Sequence, residues 1–118
     1  MNTTDTGTWG EEAVAAFLRE RGYDIVAGQW RCRYGEIDLI ARGGGYLCFV
    51  EVKLRSNLSC GLPREFVDAR KQKKLRTAAA FYLSTHDPDE PARFDVAEVY
   101  TDGGHTATRI AYLEDAFS

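Results

Sequence analysis

Apolar and polar residues recur with two different periods along this chain, and the switches between them mark its elements. From Thr8 to Arg21 the apolar stripe Val14, Phe17 and Leu18 has helical spacing, and Gly22 supplies a stop. "YDIVAGQW" (23–30), "GEIDLIAR" (35–42) and "YLCFVEVKL" (46–54) predict three strands, the last two separated by Gly43–Gly45. Leu75, Ala78, Ala79, Tyr82 and Leu83 fall at i, i+3, i+4, i+7 and i+8 within a second helix predicted from Phe66 to Leu83. "THDPDEP" breaks that helix, "RFDVAEVYT" reads as a strand, and Gly103–Gly104 turn the chain into a last strand, "ATRIAYL". The order α, β, β, β, α, β, β is that of an α/β protein. A length of 118 residues fits one domain, 1–118, with the polar residues 1–7 flexible.

Some charged residues sit on the apolar beats. Glu11 continues the stripe of Val14 and Leu18. Alternation puts Glu36, Asp38 and Ile40 on one face of the second strand, and Leu47, Phe49, Glu51 and Lys53 on one face of the third. With a two-residue turn at Gly44–Gly45, or a four-residue loop at 43–46, Asp38 falls opposite Glu51 and Glu36 opposite Lys53. A three-residue loop would shift this register by one. A Glu36–Lys53 pair is an ordinary cross-strand ion pair, whereas directly opposed carboxylates repel. On a half-buried face Asp38 and Glu51 must share a proton or a cation. Hard divalent ions such as Mg2+ take carboxylate, water and phosphate oxygens, and Glu11 docking over this face would add a third acid. Lys53 would then orient a water or stabilise charge developing on phosphorus. The competing reading is a charged, solvated sheet face.

Composition narrows this only a little. Hydrophobic content of 44% and charged content of 28% are globular values. No apolar run is long enough to span a membrane, and the N-terminus does not read as a signal peptide, so a cytoplasmic protein is expected. Cys32, Cys48 and Cys60 are odd in number and lack C-x-x-C spacing, and His86 and His105 lie among loop-type residues, which disfavours disulfide and zinc frameworks. Net charge is −3, yet Arg31–Arg76 carries eleven Lys/Arg against five Asp/Glu, and 84–118 two against eight. A basic middle on an acidic chain can steer a polyanion locally, or simply be a solvated helix face.

"GEIDLIA" (35–41) and "FVEVKLR" (49–55) resemble the YraN-like family of small bacterial proteins, grouped with Holliday-junction-resolvase-like nucleases of the PD-(D/E)xK superfamily. The blocks "WGEEAVAAFLRERGYDIV", "WRCRYGEIDLIA", "VDARKQKKLRTAAAFYL" and "RFDVAEV" extend the likeness over nearly the whole chain. The resemblance implies a restriction-endonuclease-like core, a central mixed sheet with flanking helices, and a Mg2+ or Mn2+ site. It makes Asp38, Glu51 and Lys53 the catalytic motif, with Glu11, Asp38 and Glu51 as metal ligands. Lys71 and Gln72 match the family's "KQ". Ile37 stands where the superfamily motif has a proline that supplies no chemistry, and Gln29 where asparagine is usual.

These residues set the expectations for function. Arg31, Arg33 and Arg55 flank the motif, and Lys71, Gln72, Lys73, Lys74 and Arg76 lie on the second helix, with Lys71 on its inward stripe. Together they would hold a DNA backbone. The loop 56–64 would wrap a branch point, and Glu36 supports the motif. Trp9, Trp30 and Tyr34 are either core residues or stacking platforms for unpaired bases. The first expectation is an endonuclease for structured or branched DNA, working as a homodimer as junction-cutting relatives do. The alternative is a non-catalytic DNA-binding or repair-accessory module that keeps the acids as an ion cluster. A third reading gives the acidic C-terminal strands (86–118) a basic protein partner.

Overall fold

The strands that carry the motif occupy the middle of a single five-stranded sheet, so the motif lies between layers rather than at a rim. The computed structural model describes residues 5–56 and 68–118. The elements are α1 (Asp5–Glu20), β1 (Asp24–Cys32), β2 (Gly35–Gly43), β3 (Tyr46–Ser56), α2 (Ala69–His86), β4 (Ala92–Thr101) and β5 (Arg109–Phe117), in the order expected. Strand order in the sheet is β1-β2-β3-β4-β5. β3 and β4 are parallel and the other neighbours antiparallel. Parallel neighbours need a crossover, and α2 supplies it.

The element ends carry their own physical reasons. α1 begins at Asp5, three residues before the expected start at Thr8. α2 is capped by Asp68, whose carboxylate accepts the Lys71 N–H at 2.9 Å; the expected start at Phe66 lies outside the described residues. It runs to His86, past the expected Leu83, and ends at Asp87 in left-handed conformation (φ 43°). His86 is therefore helical, its ring stacked on Tyr82 at 3.8 Å. β5 starts at Arg109, two residues later than expected, and continues to Phe117. Neither α1 nor α2 is long and apolar enough to cross a membrane.

The β2–β3 turn is the two-residue kind: Gly44 and Gly45 have φ of 61° and 85°, values that glycine adopts without strain. It sets Gly43 against Tyr46 and, four rungs on, Leu39 against Val50.

Each face of the sheet has its own core. α1 covers Leu39, Ala41, Cys48, Val50, Ala97 and Val99 with Val14 and Leu18. α2 covers Ile40, Leu47, Phe49 and Val96 with Leu75, Ala78 and Tyr82. The α1 side also contains a buried polar knot. The Asp95 carboxylate is fully buried. It accepts Arg93 Nε and Nη2 at 2.9 Å each, the Tyr112 hydroxyl at 2.6 Å and the Asp115 N–H at 2.9 Å. Arg93 also donates to the Tyr23 hydroxyl at 3.0 Å, tying β4 and β5 to the start of β1. Burial and the neighbouring Asp95 charge push the Cys48 thiol up to about 12, so it is inert packing. Removing one partner of a buried pair strands the other's charge. Asp95→Ala is expected to cost about 3–5 kcal/mol in chemical denaturation. A loss below about 1 kcal/mol would show that Arg93 is not held by this knot.

Candidate functional site

The β2–β3 ladder stops at Leu39–Val50. In a continuing ladder of the same register the next hydrogen-bonded partner of Val52 would be Ile37. Instead the Val52 N–H donates to Asp38 Oδ2 at 2.8 Å. The Asp38 side chain thus takes the place of a backbone carbonyl and the two strands part beyond it. Ile37, which strict alternation would place with Leu39, packs on the α2 side with Ile40. Asp38 consequently lies where groups from both faces of the sheet reach it.

From the α2 side comes Glu51, only 8% exposed. Its carboxyl lies against that of Asp38, close enough to share a proton. Lys71 Nζ approaches Glu51 Oε2 at 3.6 Å. Glu51 Oε1 is buried and has no hydrogen-bond partner among the described residues. From the α1 side comes Glu11, in hydrogen-bond contact with Asp38 and with the Gln29 side chain. Gly10, the residue before it, lets α1 close on β3: a Cβ there would lie 2.7 Å from Leu54 Cδ2. Gln29 has φ of 50° and sits between Gly28 and Trp30, whose partners are Leu39 and Ile37, hence level with Asp38. That left-handed backbone is a conformation asparagine adopts more readily than glutamine, which gives position 29 its physical meaning.

The electrostatics follow from burial of like charges. Burial, then the Asp38 charge, pushes the Glu51 carboxyl up to about 7. Burial is also the main cause raising Asp38, against the Val52 N–H and the Lys71 ammonium. Glu11 is pushed up to about 7, again by burial first and Asp38 second, with the Gln29 amide opposing. Three raised carboxyls, one of them with an oxygen that has no donor among the described residues, make a donor set of the kind hard cations take. The donor set of carboxylate oxygens fits Mg2+ or Mn2+. Among the described residues no three acids, histidines or cysteines form a ready-made ligand shell. The reason is geometric: Glu11 belongs to the helix on the opposite face from Glu51, so the two flank Asp38 rather than each other.

Other expected residues are redistributed. The Glu36–Lys53 pair does not form, because the ladder has ended; Glu36 instead meets its β1 partner Arg31 at 3.8 Å. Lys53 keeps the face of Glu51, on which its charge acts, and its register partner is Glu98 of β4. Arg55 is drawn toward buried Glu98 at 3.2 Å, its own side chain 15% exposed. Arg76 donates to the Ser118 carbonyl at 3.1 Å and to the Gln72 side-chain oxygen at 3.5 Å, pinning α2 to the chain end. Lys71 reaches Glu51 as its helical position allows but, like Lys73 and Lys74, it is exposed, its side chain at 45%. Arg31, Glu36, Lys71 and Lys74 line an open cleft of about 480 Å3 beside the acids. The loop 56–64 lies outside the described residues from 57 onward. Gln29 was not singled out as a site residue; the break of apolar alternation at Gly28–Gln29 was its available signal.

A family model described as "Uncharacterised protein family UPF0102" matches residues 10–99. A UPF0102 protein of Caldicellulosiruptor bescii is 40% identical over 119 residues, covering 99% of this chain and 100% of its own. One of Nocardia farcinica is 48% identical over 100 residues, covering 84% and 79%. One of Syntrophus aciditrophicus is 44% identical over 113 residues, covering 95% and 87%. The family-level likeness read from the sequence blocks therefore holds.

The raised glutamates give a signed pH dependence. Glu51 titrates near 7 in the fold and near its ordinary 4.5 in the unfolded chain. Between those values the fold holds more protons, so stability is greatest below the lower value and declines as pH rises through the upper one. The melting temperature is expected to fall from pH 5 to pH 8 without divalent metal, and Glu51→Gln should flatten that slope. A wild-type melting temperature that rises across the same window would contradict this electrostatic picture.

Proposed function

The chain belongs to the UPF0102 family, and from that premise we propose that it is a divalent-metal-dependent endonuclease hydrolysing phosphodiester bonds in structured or branched DNA. The observation that carries the proposal is the buried Glu51 Oε1, without a donor among the described residues and beside a second carboxyl. Asp38 and Glu51 would hold Mg2+ or Mn2+, with Glu11 reaching Asp38 from the other face. Once bound, such an ion cancels the carboxylate repulsion and polarises a phosphoryl oxygen. Lys53 supplies positive charge on the Glu51 face, where negative charge develops during displacement at phosphorus. Lys71, already set against Glu51, is placed to contact the phosphate next to the one cut. Arg31 and Lys74 extend that cationic track along the cleft, and Glu36 holds Arg31 in it. A homodimer in the cytoplasm would present two such sites to a symmetric junction.

A second reading is favoured by two specific observations: no three-ligand shell is preformed among the described residues, and Lys71 already neutralises part of Glu51. Under it the protein is a DNA-binding or repair-accessory module and the acids are a structural ion cluster. Cleavage assays on four-way junction, flap and single-stranded substrates with Mn2+ separate the two. The nuclease reading expects cutting by wild type, with Asp38→Asn and Lys53→Met each slower by about a hundredfold or more at unchanged DNA affinity. Binding without cutting of any of these substrates would move the accessory reading to the front.

A further inference from the structure

The basic cleft has an aromatic end. Four large apolar side chains are exposed among the described residues: Tyr34, Tyr46, Leu54 and Phe81. Two of them have evident neighbours, since Arg93 lies over the Tyr46 ring and Leu54 backs the close approach of Gly10. Tyr34 and Phe81 instead touch each other, with ring centres 5.6 Å apart at 62°. Tyr34 is 44% exposed and Phe81 36%.

Behind them an aromatic column runs into the core. Phe81 meets Trp30 at 6.3 Å, and Trp30 meets buried Tyr82 edge-on at 5.2 Å. The outermost ring thus rests on a rigid stack, which lowers the ordering cost of anything laid on it. Trp30 itself is packed against the α2-side core and Trp9 is stacked on His105, so of the three candidate platforms only Tyr34 is presented outward.

The surroundings of this pair are cationic. The Arg33 guanidinium sits 5.4 Å over the Tyr34 ring, and Arg31, Lys71 and Lys74 line the adjoining cleft. Lys74 and Phe81 are seven residues apart on α2, hence on one side of the helix. From Lys71 to Phe81 the helix rises about 15 Å, the length of roughly four stacked nucleotides. A phosphate track beside an exposed π-surface is the arrangement by which single strands are held: the backbone is gripped by charge and a base is laid on a ring.

We infer that Tyr34, backed by Phe81, is a stacking shelf for an unpaired base lying within about four nucleotides of the phosphate held at Lys71. This deepens the nucleic-acid reading of the acidic site and rests on it. It specifies the substrate as DNA with a single-stranded segment on the α2 side of the cut. It assigns the interior of a duplex no contact with the shelf, because a base stacked between two neighbours offers no free face.

The test is fluorescence anisotropy of a labelled short oligothymidylate and of a labelled duplex of equal length, in EDTA, so that neither metal nor turnover enters. Tyr34→Ala and Tyr34→Leu are expected to weaken oligothymidylate binding about tenfold and to change duplex binding by less than about twofold. Tyr34→Leu keeps an apolar cover on Phe81 while removing the π-face, and Tyr34→Trp should restore binding. Lys74→Ala should weaken both ligands. Equal losses on both ligands for Tyr34→Leu, no loss on either, or wild type that does not bind oligothymidylate would each overturn the shelf. Absence of cleavage by wild type would count against the nuclease reading alone, since the shelf is read out without it.

Discussion

One hydrogen bond organises this site: the Val52 N–H is taken by the Asp38 carboxylate instead of a strand carbonyl. Everything distinctive about the centre of the sheet follows from it. The ladder ends, β2 and β3 part, and Ile37 changes face. Glu11 can reach Asp38 from the α1 side while Glu51, with Lys71 set against it, reaches it from the α2 side. A sheet ordinarily keeps its two faces chemically separate; here a single side chain in the ladder's place joins them.

The fold contains a second buried acid, and the contrast between the two is instructive. Asp95 is enclosed as completely as any described residue, yet its two oxygens receive four donors. It is a satisfied structural group, and its energy is spent in holding β4, β5 and Tyr23 together. Glu51 is almost as enclosed, but one oxygen lacks a donor among the described residues and its neighbour is another carboxyl. Burial is common to both, so burial does not distinguish structure from chemistry. Satisfaction separates the two among the described residues, and under the proposed function a cation would complete the Glu51 oxygen.

Much of this was legible in the residues. Periodicity gave all seven elements in order, because helix and strand place apolar residues at incompatible spacings. The paired glycines fixed the hairpin register, which the rungs from Gly43–Tyr46 to Leu39–Val50 follow. Less legible was where that register would stop. An aspartate standing in for a carbonyl leaves no trace in periodicity, so the Glu36–Lys53 pair was a reasonable expectation that the strand divergence removes. Parity also says that Glu51 and Leu39 point to opposite faces, but not which helix covers each; that depends on long-range packing, and it is why Glu11 flanks Asp38 rather than joining Glu51. The Arg55–Glu98 pair was illegible for a similar reason, since β4 is a neighbour brought in by a distant crossover.

The account stands on the claim that Asp38 and Glu51 are two parts of one cation position. Calorimetric titration of Mn2+ into the wild type and into Asp38→Asn at neutral pH addresses it without any assumption about substrate. Saturable binding by the wild type, released protons on binding, and loss of both in Asp38→Asn are the expected results. Equal binding by the two proteins, or none by either up to millimolar metal, would contradict it and leave Asp38–Glu51 a proton-sharing structural pair.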